Sequence, residues 1–327
     1  MFGNNTIEDI NNYADVVAVN EKLYQSPDYA NGIGGILEGV VLEANAESAA
    51  RIKYTEASNK VQLKLVSGIF QSTQLWPLEY SRGLILEIFI STAAEAGGKA
   101  SALAASELTI DNVSFNLETV QVSPIYKQAF EQQLLTSGIK FNCPTWLTTK
   151  HTISATDSFS GQLSENMKSI KHIFFFCRDS ANENVVGKRQ TEYFQSKGMS
   201  DYQFRWGTRY IPLQKCDTSG TSAEALVELL KAMNVSSDVT TSTEIRLATF
   251  SDLPVNQGGP GASASTRAIY GQNLELDADE NMSGLSSIKQ PLSLEVNFSS
   301  SITTNIYTLI NYDQILVITQ GGVLSSW

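Results

Sequence analysis

The stretch LSLEVNFSSSITTNIYTLINYDQILVIT, residues 292–319, decides how the rest of the chain is read. In its first part Leu292, Leu294, Val296 and Phe298 alternate with Ser293, Glu295, Asn297 and Ser299. Period two gives one apolar and one wet face, the mark of a half-buried strand. The Ser/Thr cluster Ser299–Thr304 reads as a turn. Ile306–Thr319 is apolar on both parities. That predicts a second strand covered on both faces, stopping at Gly321-Gly322. Any β-sandwich can end this way, so the functional argument rests on what precedes.

Working outward, the second half repeats strands at short spacing: Tyr202–Leu213, Ile245–Phe250 and Ile269–Leu276. A helix lies among them. Thr221 and Glu224 form a capping box, Leu226, Leu229, Leu230 and Met233 make its stripe, and Asn234 ends it. Asn256–Thr266 is a Gly-rich loop and Asp277–Gly284 a turn. The first half has the same texture. Val61–Leu65, Leu84–Ile90, Val113–Leu117, Ile139–Cys143 with Trp146–Thr149, Phe159–Ser164 and Ile170–Cys177 read as strands. At Thr119 the apolar parity switches to Val120 and Val122, a bulge signal. Ala93–Ala105 reads as a loop. Ser123 caps a helix with Pro124 at its first position and Tyr126, Phe130 and Leu134 at i, i+4, i+8; Gly138 closes it. Thr6–Tyr24 reads as an N-terminal helix with Ile7, Ile10, Ala14 and Val17 on one face. Gly32, Gly34 and Gly35 lack the strand before and helix after that a phosphate loop needs, and read as a turn.

Short strands at this density mean an all-β fold of sandwiches or barrels, and two in tandem fit 327 residues. The polar stretch Arg178–Lys197 reads as the linker between them. The divisions are an N-terminal segment 1–34, a first body 35–178, a linker 179–201 and a second body 202–327.

Composition narrows the function. Charged residues are 17% of the chain, against about a quarter in an average protein. A charge-poor surface suits extensive protein–protein contact. The net charge of −11 and the absence of Lys or Arg from Met1–Ala18 leave no basic arm for nucleic acid. The same N-terminus lacks the pattern of a signal peptide, and no apolar run approaches the ~20 residues of a membrane-spanning helix. Cys143, Cys177 and Cys216 suit neither a disulfide framework nor a CxxC site.

Catalytic and metal candidates are thin. His151 and His172 stand near no cysteine or carboxylate at ligand spacing, which argues against zinc. There is no Gly-x-Ser-x-Gly elbow. Asp277, Asp279 and Glu280 read as a solvated turn; Asp277-x-Asp279-x-Asn281 starts like a calcium loop but lacks its glycine and terminal glutamate. The expectation is no enzyme, no catalytic residue, no metal and no cofactor.

The layout resembles the double jelly-roll major capsid proteins of tailless icosahedral DNA viruses, in their compact form, from about Gly35 to Trp327. The features that carry the resemblance are the strand Asn112–Val122 running into the helix Ser123–Leu135, the strand Ser169–Arg178 ending the first half, Tyr202–Gln214 opening the second, and the close at Thr308–Thr319. The resemblance implies two tandem eight-stranded jelly rolls, each with a short helix. It implies a homotrimer serving as a pseudo-hexameric unit of an icosahedral shell. The place would be the virion, assembled inside the host cell. The partners would be further copies, penton or minor capsid proteins and an internal viral membrane, without direct nucleic-acid contact. The competing reading is a carbohydrate-binding or adhesin sandwich using Trp76, Trp146 and Trp206, although strand aromatics are more often core. A third is a sandwich hydrolase or lyase acting on glycans.

Overall fold

The computed structural model describes residues 75–81, 85, 87, 114–115, 119–163, 166–181, 196–218, 223–235, 250, 268–276, 282–319 and 322–326. The elements are α1 (Pro124–Thr136), β1 (Ile139–Gln162), β2 (Ile170–Arg178), β3 (Met199–Trp206), β4 (Arg209–Asp217), α2 (Ala223–Ala232), β5 (Ile269–Asn273), β6 (Leu292–Thr319) and β7 (Gly322–Ser326). The class expected from sequence, all-β with short helices, is the class observed. The expected N-terminal helix lies outside the described residues, as do the early strands apart from isolated positions, the strand 245–250 apart from Phe250, the loops 93–105 and 256–266, and most of the 277–284 turn.

β6 is the spine of one seven-stranded antiparallel sheet. β1 runs along one edge of it, from Ile139 opposite Ile318 to Gln162 opposite Ser293. Along the other edge come three strands in succession. β3 pairs with residues 292–298, β2 with 305–312 and β7 with 315–319. β4 extends the sheet beyond β3, and β5 extends it beyond β2. β7 was not legible in the sequence; it folds back on β6 in a tight hairpin that sets Thr319 opposite Gly322.

Four expectations are corrected here. Tyr202–Leu213 is not one strand: the chain turns at Gly207, whose φ is 58°, and β3 and β4 pair as an antiparallel hairpin. Residues 119–122, expected to end the strand Asn112–Val122, are exposed and lie in no strand. Ser299–Thr304 is not a turn but part of one continuous strand. Between Thr156 opposite Ile302 and Ser158 opposite Asn297 the ladder with β1 is irregular, and Ser299–Ser301 bulge out exposed. The chain keeps its direction because the stretch still finds partners: Ser299 N–H donates to Gly198 O at 2.8 Å, and the Thr303 hydroxyl accepts from Ala155 N–H at 3.2 Å. For the same reason the separate strands expected at 139–143, 146–149 and 159–164 form a single β1, held in register by β6.

The bulge lets the sheet fold on itself. β2 and β3 lie end to end along one edge of β6, yet Phe175 of β2 packs on Tyr202 and Phe204 of β3, with ring centroids 5.0 and 5.9 Å apart. Tyr270 stacks on Phe175 at 5.1 Å and Phe250 meets Tyr270 at 5.6 Å. This aromatic centre is fully enclosed, together with Leu292, Leu294, Val296 and Ile310. Each such side chain contributes about 1.5–3 kcal/mol by leaving water.

α2 covers the outer face. Leu229 and Ala232 come so close to β5 that a Cβ on Gly271 would sit 3.0 Å from each, and 3.0 Å from Phe174. Its C-terminus is Asn234 in the left-handed region (φ 56°), as its sequence anticipates. α1 forms as expected behind Ser123, whose Oγ accepts from Tyr126 N–H. It joins a second, smaller core of Leu134, Ile139, Phe141, Cys143, Leu316 and Ile318, with Trp76 and Tyr80 against it.

Candidate functional site

The sequence candidates do not converge. His151 stands on β1 against Phe159, ring centroids 5.4 Å apart. His172 stands on β2, where its Nε2 lies 3.7 Å from Glu275 Oε2. Burial lowers the pKa of both; for His172 the neighbouring carboxylates oppose that effect without reversing it. The three thiols are buried and form no disulfide. Burial pushes Cys143 up to about 11 and Cys216 up to about 12, so neither is a thiolate near neutrality. Among the described residues no group of three or more His, Cys, Asp or Glu side chains is arranged to hold a metal. No described helix is long and apolar enough to cross a membrane.

The tryptophans serve packing. Trp76 lies 5.0 Å from Phe141 and Trp146 lies 6.0 Å from Phe174. Trp206 donates through Nε1 to Ser286 O at 2.9 Å. They form no shared platform for a sugar, and the carbohydrate-binding reading is not favoured.

The polar cluster that the sequence did not disclose centres on Asp313. This residue sits within the apolar run of β6 and its side chain is fully buried. Oδ2 accepts from Ser169 Oγ at 2.8 Å and from Met282 N–H at 3.0 Å; Oδ1 accepts from Asn142 Nδ2 at 3.4 Å and lies 3.5 Å from Lys171 Nζ. Lys171 Nζ is 2.7 Å from Glu275 Oε1, which also accepts from Ser283 Oγ. Burial works against the Lys171 charge, but Glu275 and Asp313 outweigh it and hold its pKa above the ordinary lysine value. Gly284 N–H donates to Ser169 Oγ at 2.9 Å, and a side chain there would strike the Ile170 backbone at 2.5 Å. The cluster therefore ties β1, β2, β6 and the segments around Glu275 and Met282 together. It holds charges paired and hydrogen-bonded, which is what burial demands. A usable signal was present: an aspartate inside an apolar run needs a buried partner, and Lys171 opens another such run.

Between α1 and the start of β1 lies a cleft of about 520 Å³. Leu75, Tyr126, Phe130, Ile139 and Phe141 line it, with Lys140 as its one charged wall residue.

No protein-family model matches the chain, and no curated protein matches it. Solved structures do. A quasi-atomic model of the PBCV-1 virus capsid aligns at TM-score 0.38 and 9% identity, over 58% of this chain and 51% of that one. The Sputnik virophage structure aligns at 0.33 and 15% identity, over 57% and 39%. The mavirus major capsid protein aligns at 0.35 and 8% identity, over 59% and 42%. The matched region thus spans about half or less of each neighbour. A viral capsid and a major capsid protein are thus among the structures to which this chain is similar.

Proposed function

We propose that this chain is a major capsid protein that assembles as pseudo-hexameric trimers into an icosahedral virion shell. The observation that carries the reading is the curled sandwich on β6, with α1 leading into β1 and α2 packed on β5. The described buried polar cluster around Asp313 cross-links strands. The low charge content of the chain lowers the desolvation cost of burying large areas between copies.

The tandem division belongs to the same proposal, with jelly rolls at 35–178 and 202–327, a linker at 179–201 and segment 1–34 in front. β2 and β3 flank that linker and do not pair with each other. Their common neighbour β6 would then be shared between the two bodies. Three subunits with two wedge-shaped bodies each fill a sixfold lattice position as a closed ring. Penton or minor proteins, an internal membrane, assembly inside the host cell and the absence of direct nucleic-acid contact complete the reading.

Light scattering on the purified chain near neutral pH tests it. The expected species has three times the 35.7 kDa mass of the chain, with hexagonal particles in micrographs. A strictly monomeric protein at high micromolar concentration overturns the reading.

A further inference from the structure

We propose that Lys171 and Asp313 join in an intramolecular amide bond, formed by the folded chain itself with Glu275 as the proton carrier. The nucleophile is placed by a bulge. In the pairing of β2 with β6, Ile170 stands opposite Tyr312 and His172 opposite Asn311, so Lys171 is the extra residue between them. A bulge re-aims the side chain it carries. Lys171 Nζ comes 3.5 Å from Asp313 Oδ1, one bond from the carbon it would attack, and 2.7 Å from Glu275 Oε1. The electrophile is prepared as well. Asp313 Oδ2 accepts twice, from Ser169 Oγ at 2.8 Å and from Met282 N–H at 3.0 Å. Because Ser169 Oγ itself accepts from Gly284 N–H, its own proton is left for Asp313. One carboxyl oxygen thus lies between two fixed donors, as an oxyanion hole requires, and the other faces the amine.

The surroundings favour the reaction. The side chain of Asp313 is fully buried, that of Glu275 is 4% exposed and that of Lys171 15%. Burial makes each ion costly, and condensation replaces an ammonium and a carboxylate with one neutral amide. Glu275 and Asp313 hold the Lys171 pKa above its ordinary value, so the resting state is the ion pair and the reaction begins with a proton leaving Nζ for Asp313 Oδ1. Nζ then attacks Cγ: the C–N bond forms and the carbonyl electron pair moves onto Oδ2. Glu275 Oε1 takes a proton from the new ammonium centre and gives it to the Oδ1 hydroxyl, the C–Oδ1 bond breaks, and water leaves. The balance is ammonium plus carboxylate giving amide plus water, with no oxidant, no cofactor and no net change in protons. His172, whose pKa burial lowers, is neutral near pH 7 and does not neutralise Glu275 from its place 3.7 Å from Oε2. None of this depends on a capsid role.

Mass spectrometry of the full chain tests it. The purified, folded protein, kept for days near neutral pH, should become lighter than its sequence mass by one water. Proteolysis should then release the Lys171 and Asp313 peptides as a single branched species. Lys171→Arg should keep its full mass. Glu275→Gln, with its fold checked by thermal melting, should lose water at least about a hundredfold more slowly. Asp313→Asn should form the same bond but shed ammonia in place of water, and it carries the test where Glu275→Gln fails to fold. A wild-type chain that keeps its full mass, with both peptides recovered linear, overturns the proposal. So does a water lost within one linear peptide, because the bond would then join neighbours in sequence. Loss at the wild-type rate in a folded Glu275→Gln overturns the role given to Glu275.

Discussion

The two ends of β6 obey different rules. From Leu292 to Phe298 burial alternates, with even residues in the core and odd ones half-buried. From Thr304 to Asn311 every residue is buried. The inner face of the second region is the aromatic centre around Phe175, which is paired opposite Thr308. Its outer face carries Phe174 opposite Leu309, and there α2 closes over Gly271 while Trp146 packs on Phe174. At the first end nothing of the kind is described: Glu295 reaches Arg205 at 3.7 Å across a half-exposed surface. A strand is one-sided or two-sided according to what lies on its outer face; here the neighbouring strands β2 and β5 carry α2, and Trp146 packs on Phe174.

The comparison is broken most severely at Asp313, beyond the two-sided end. Asp313→Ala strips Lys171 of one carboxylate and leaves Ser169 Oγ and Met282 N–H without their acceptor. We expect a loss of about 3–5 kcal/mol in chemical denaturation. A loss below about 1 kcal/mol, the ceiling for an exposed pair, would mean that the cluster is not structural.

Next comes a test of sidedness. Leu309→Ala and Ile310→Ala remove apolar groups from opposite faces, and each should cost about 2–5 kcal/mol. At the other end only one parity should count: Leu294→Ala falls in the same range, while Glu295→Ala costs under about 1 kcal/mol. Tolerance at Leu309 would mean that the outer face of this end of β6 is not packed.

The smallest effect is that of pH. His172 and His151 both have pKa values lowered by burial, so the unfolded chain binds protons more readily than the folded one. Their contribution to stability is complete above the unfolded value of about 6.5 and is lost as pH falls below it. The slope should not exceed about 1.4 kcal/mol per pH unit for each histidine. Hydrogen exchange should place the acid weakening at β2 and the adjoining part of β6 rather than at β3, and His172→Gln should flatten it. Uniform weakening along β6 would count against this assignment.

Class, the helices α1 and α2, the Ser123 cap, the ends at Gly138 and Asn234 and the buried run of β2 were legible because each is a local pattern; the expected capping box at Thr221 lies outside the described residues. Ser123 with Pro124 marks a helix start, and Phe174–Phe176 marks a core strand, whatever the remainder does. The bend was not legible. Ser299–Thr304 has the composition of a turn, and partners distant in sequence, Gly198, Arg178 and the β1 residues Ile153–Thr156, keep it a strand. The Asp313 cluster escaped for a related reason. Its members, from Asn142 to Asp313, are up to 171 residues apart and meet only through sheet register.

Because β6 joins β1, β2 and β3, none of these can complete its pairing until the polypeptide reaches Leu292. At a ribosomal pace of about 5–20 residues per second, the stretch from Arg178 to Leu292 takes on the order of ten seconds to make. During that interval Ile173 and Phe174–Phe176 have lost the tunnel and not yet gained their sheet. A bare strand edge of that kind invites association with other nascent copies. The spine that closes the finished molecule thus makes its birth the vulnerable moment, and gives holdase chaperones a defined window in which to act.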